Sequence, residues 1–225
     1  MTAPRAAAFF LFAAAACMAE PRPRPHHKVA SPDIPALMLR VDPAFAALDP
    51  LRFPIAGATD AERWIFVDAG RDGIVRRMVI VQFEKVKSGS SFRFRFPATP
   101  PRPFGEHVYA ATAGLFDEVQ SAAQAPDREA ALTRRFLAEQ RLRPARIGKT
   151  ARLARVAAAG GRTEVIIFYR ENADAAYPDG IPPAGAALSA AETERLFRSL
   201  AKSIAAVRRG AGVRPAAGRG KSPLP

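Results

Sequence analysis

One cysteine in 225 residues, Cys17, is the first restriction the sequence imposes. Because it falls among the first twenty residues, the folded core can hold no disulfide, no cysteine metal cluster and no cysteine nucleophile. Histidine is almost as scarce. Of His26, His27 and His107, only the last falls in the region expected to fold, so a histidine-rich metal site is excluded by count, and neither a metal nor a cofactor is expected. Sequence motifs are missing as well. There is no phosphate-cradling glycine loop, no G-x-S-x-G, no HExxH and no CxxC. Gly70 and Gly73 lie in a turn between two strand-like runs and open no helix, so they are not placed to bind phosphate. Asp68, Asp72 and Glu84 do not have the spacing of a glycosidase carboxylate pair.

Long hydrophobic runs are also lacking. The apolar run 6–16 has eleven residues, against about 20 needed to span a bilayer. With one Arg before it and small residues after it, the stretch 1–19 reads as an export signal. Ala14-Ala15-Ala16-Cys17 resembles a bacterial lipobox, which makes Cys17 a lipidation candidate. Ordinary signal-peptidase cleavage after Ala16 or Ala19 fits the same residues. Residues 20–32 are proline-rich and read as an extended spacer.

Charge of one sign is plentiful: the formal net charge is +13. Five cations, Arg208, Arg209, Arg214, Arg219 and Lys221, sit near the C-terminus, where 209–225 reads as a disordered basic tail. Residues 31–207 retain only +5, a mildly basic domain with no specific nucleic-acid signal.

The single domain expected over 33–208 is organised around 64–86. Two runs rich in β-branched and aromatic residues there flank the turn 70–73. Met78–Val81 and Val165–Tyr169 are apolar on both faces, which places both in the middle of one sheet. A strand is expected over 36–41, and 43–62 reads as a connection. Residues 92–96 (FRFRF) alternate as a half-buried strand with its phenylalanines in the core. Helices are expected over about 106–123 and 126–140, then a basic irregular stretch 141–149 and strands over 151–157 and 163–170. Ser189 and Glu192 form a capping box for a last helix, whose stripe runs through Leu196, Phe197, Leu200, Ile204 and Val207 to a glycine cap at Gly210. The fold class is therefore α+β: a mainly antiparallel sheet of about five to six strands, packed by an αα-hairpin and a long C-terminal helix.

Two features bear on function. Arg134, Arg135, Arg141, Arg143, Arg146, Lys149, Arg152 and Arg155 crowd together; Arg141, Arg143, Arg146 and Lys149 at their centre are the anion-binding candidates. Glu106, His107 and Tyr109, at an expected helix start, are the catalytic candidates, with a neutral histidine beside a carboxylate as general base. The first feature predicts a non-catalytic module of the cell envelope, periplasmic, lipid-anchored or secreted. Its expected partner is an anionic envelope surface or another envelope protein, and it touches membrane only through a lipid on Cys17. The second predicts a small periplasmic hydrolase instead.

Overall fold

Two strands without a polar face can only be buried from both sides, and the architecture follows from them. The computed structural model describes residues 27–31, 33–96, 99–125, 127–157, 160–181 and 187–207. In it, β6 (Val75–Val86) and β10 (Thr163–Asn172) run antiparallel at the centre of an eight-stranded sheet. On one side β6 pairs with β5 (Thr59–Ala69), whose outer edge is covered in succession by β3 (Ala46–Ala47) and β4 (Leu51–Ile55). On the other side, β9 (Ile147–Val156), β8 (His107–Asp117) and β7 (Pro101–Phe104) complete the sheet. A second sheet of three strands contains β1 (Lys28–Ser31), β2 (Ile34–Val41) and β11 (Ile204–Ala206). The protein is mixed α+β with antiparallel strand pairs and three α-helices among the described residues.

Each face of the large sheet has its own core. Val79, Val81, Val165, Ile167 and Tyr169 pack against the second sheet and against Leu196, Phe197 and Leu200 of α3 (Ala190–Ser203). On the opposite face Ile65, Met78 and Ile80 meet Leu137 of α2 (Glu129–Glu139), which follows the short α1 (Glu118–Gln124). A bulge between Asp68 and Ala69 shifts the register of β6 by one residue. It lets Val75 and Met78, three apart, share a face, and it turns Arg76 and Arg77 both to solvent.

Several expectations need correction. The helix expected over 106–123 is strand β8 for most of its length, because Tyr109, Ala111 and Ala113 alternate onto the core, and Val108 is 61% exposed. Residues 92–96 form no strand; they skirt the end of the sheet, held by the Phe94 amide on the Gly161 carbonyl. The connection 43–62 contains β3, β4 and the start of β5, so the main sheet has eight strands and not five or six. The last helix stops at Ser203, and the β-branched Ile204 begins β11 where the stripe predicts another turn of helix. The spacer 20–32 ends in a strand, since Val29 of β1 is fully buried. Residues 1–19, Cys17, His26 and the tail 209–225 lie outside the described residues.

Candidate anion-binding site

The basic stretch after α2 is shaped by how that helix ends. The Arg141 amide donates to the Ala138 carbonyl and the Leu142 amide to the Leu137 carbonyl, both at 2.9 Å. This is the Schellman pattern, in which the residue after the cap adopts left-handed geometry and the next one packs back on the helix. Leu142 and Leu137 accordingly share one core. Arg141 takes the left-handed position, with φ +58°, where glycine is the usual residue.

The β5–β6 turn is clamped to this helix end. Gly73 (φ +76°) lies so close that a Cβ there would come within 2.7 Å of the Arg141 carbonyl oxygen. The Arg143 amide donates to the Gly73 carbonyl and the Val75 amide to the Arg143 carbonyl, each at 2.9 Å. Arg71, Arg141 and Arg143 are thereby brought together, and all three are exposed. Arg71 has no counterpart in the sequence-level candidate set. It is seventy residues distant from Arg141 in sequence, and contacts between the two loops, among them the pairing of Ile74 with Arg143, bring it near.

Most of the acids beside this surface are occupied. Asp72 accepts from the Ile74 amide, and Asp174 from the amides of Arg146 and Ile147. Asp117 caps α1 through the Gln120 amide, with Arg146 Nε 3.8 Å away. Asp68 is gripped by Arg76 and Arg77. Partial burial opposes its charge, but the two guanidinium hydrogen bonds hold its carboxyl below the usual range.

The remaining cations of the basic arm are dispersed by strand alternation. Lys149 Nζ bonds Glu192 of α3 at 2.7 Å; with the Ser189 cap, that bond holds the Glu192 carboxyl down to about 2. Arg155 sits over the Tyr109 ring at 5.6 Å. Arg152 is on the other face, 3.6 Å from Glu164. The catalytic candidates occupy a β-hairpin and no helix start: Glu106 is in the turn, His107 opens β8, and Tyr109 is turned into the core, 1% exposed.

No family model, curated protein or solved structure matches this chain. Its own chemistry has to carry any functional reading. Among the described residues no helix is long and apolar enough to cross a membrane, and no group of three or more metal-ligating side chains converges.

Sequence reasoning also missed a polar cluster buried beneath α2. Arg63, 3% exposed, donates to Gln82 Oε1 at 2.5 Å and to the Glu129 carboxylate and Thr133 hydroxyl of α2. Burial lowers its guanidinium to about 10, opposed by Glu129. Gln82 Nε2 donates to Glu84 at 2.6 Å. Glu164 lies directly across the strand pair from Glu84, and its Oε1 has no hydrogen-bond partner. Burial, then the Glu84 carboxylate, pushes Glu164 up to about 8. The alternation of Gln82 and Glu84 with Val81 and Phe83 is the only trace of this cluster in the sequence.

Proposed function

We propose that this chain is an exported cell-envelope module that binds anionic surface components without catalysis. The observation that carries this reading is the clamp between the β5–β6 turn and the end of α2. It presents Arg71, Arg141 and Arg143 together, with Asp72 of the same turn accepting from the Ile74 amide. Long-range attraction of phosphate or carboxylate groups needs only clustered, exposed cations, and guanidinium groups add bidentate hydrogen bonding on contact. Arg141 supports the reading further. Left-handed geometry costs a non-glycine residue about 1–2 kcal/mol, and strain of that kind concentrates at functional positions. Export through residues 1–19, with or without a lipid on Cys17, would place the protein opposite anionic phospholipid headgroups and acidic polysaccharide.

Vesicle binding tests the site. The parent is a chain ending at Val207, so that the cations of the tail cannot contribute. It should bind vesicles containing phosphatidylglycerol, ignore pure phosphatidylcholine, and release as salt shortens the Debye length from about 10 Å at 0.1 M to about 3 Å at 1 M. With about 1 kcal/mol per cation, Arg71→Ala/Arg141→Ala/Arg143→Ala should lose affinity on the order of a hundredfold. Arg141→Gly separates binding from folding: it removes one cation, relieves the left-handed strain, and should leave the chain at least as stable. A triple variant that binds like its parent would overturn the proposal.

A further inference from the structure

The end of the molecule that carries Arg141 and Arg143 also exposes apolar side chains, and main-chain hydrogen bonds join the two sets. The Glu118 amide at the start of α1 donates to the Arg146 carbonyl at 2.8 Å, so this helix begins against the basic stretch, three residues on from Arg143. Glu118 itself is 3% exposed and turned inward, bonded to Arg170 at 2.8 Å. Val119, the next residue, is 41% exposed, and the chain from Val119 to Ala125 carries no charge.

The loop after β10 borders the same arginine. The Ala173 amide donates to the Ile147 carbonyl at 2.8 Å, and a Cβ on Gly180 (φ +94°) would come within 2.8 Å of the Arg146 guanidinium. Between these anchors a 3-10 turn, Asp174–Ala176, leaves Ala175 and Ala176 exposed. Tyr177, half-buried, and Pro178, exposed, follow it. Of the two acids in this loop, Asp174 accepts from the amides of Arg146 and Ile147, and Asp179 is exposed. The Arg146 side chain, 51% exposed, thus stands between two partly apolar rims.

A single exposed aliphatic side chain is ordinary on a protein surface. Here it stands with small apolar residues and a tyrosine around clustered arginines. That combination suits the boundary of an anionic bilayer, where cations meet headgroup phosphates and apolar groups enter the layer beneath. An acidic polysaccharide is hydrated throughout and offers a valine no apolar phase to enter. We propose that this end docks on an anionic lipid bilayer, with Val119 and the loop 175–178 entering the headgroup layer around Arg143 and Arg146. The proposal rests on the anion-binding reading above and narrows its partner to lipid.

The mature form beginning at Glu20, which carries no lipid, tests it on vesicles containing phosphatidylglycerol. Val119→Trp places a reporter ring at the surface; Trp64, half-buried in β5, is the only tryptophan of the wild type. On vesicles the emission of the variant should shift to the blue, and brominated phosphatidylglycerol should quench it while leaving the wild type unchanged. Val119→Ser should weaken vesicle affinity about fivefold, by loss of the buried valine surface, and should keep the affinity for polygalacturonate and the melting temperature of the wild type. Salt-sensitive vesicle binding without quenching in the Val119→Trp chain would overturn insertion while the arginine cluster kept its role. A chain that bound polygalacturonate but no vesicle would overturn the choice of lipid, and one that bound neither would overturn both readings.

Discussion

Glu84 and Glu164 stand opposite one another in the β6–β10 ladder, where like charges oppose folding. The pair avoids this by keeping Glu164 protonated near neutral pH. Unfolding frees that carboxyl to ionise at its ordinary value of 4.5, so the unfolded chain binds fewer protons than the folded one between pH 4.5 and about 8. Stability should therefore be greatest below pH 4.5 as far as this group is concerned, and should fall as pH rises towards 8. Each pKa unit of difference is worth about 1.4 kcal/mol, so the loss is on the order of several kcal/mol. Glu164→Gln keeps the shape and removes the titration. Its urea midpoint should change much less between pH 5 and pH 9 than that of the wild type. Equal losses in both proteins would place the pH dependence elsewhere.

At the scale of elements, Leu200 and Val108 give opposite expectations for one kind of truncation. Leu200 is 1% exposed between α3 and the large sheet, so Leu200→Ala should cost roughly 2–5 kcal/mol. Val108 falls within the helix expected over 106–123, yet on β8 it faces solvent. Val108→Ala should stay within about 0.5 kcal/mol in thermal or chemical unfolding. The contrast shows which elements were legible in the sequence. The central strands β6 and β10 were, because no amphipathic element tolerates apolar residues on both faces. The start of α3 was legible too, through its capping box, which is complete in the structure. β8 was not, because Ala110, Ala111, Ala113 and Gly114 are too small to mark a period, and pairing with β9 overrides helix propensity. At the candidate site, Arg141 and Arg143 were legible as a charge run. Arg71 was not, since its proximity depends on a contact between loops. Lys149 lost its place to the alternation of β9, which charge counting ignores.

For the whole molecule, the β5–β6 turn and the end of α2 gather exposed arginines at one end of the large sheet. A cationic cluster confined to one end would orient the protein on an anionic surface, with that end towards it. The expected leader decides whether it meets such a surface. The mature N-terminus should begin at Cys17 carrying lipid, or at Cys17 or Glu20 without it. Mass spectrometry of protein recovered from the envelope reads this directly, and an intact Met1 in the cytoplasm would remove the setting proposed for the module.

Strand β7 forms one border of the large sheet. The Ala111 amide donates to the Pro100 carbonyl, so residues 100, 102 and 104 turn their backbone groups inward and 101 and 103 turn theirs outward. Both outward positions are proline, and Arg102 between them is anchored to Glu194 and over the Phe197 ring of α3. This border offers a passing chain carbonyls but no amide hydrogens, so it cannot template another strand. Copies crowded side by side on a two-dimensional surface would collide at this edge without zipping into fibrils.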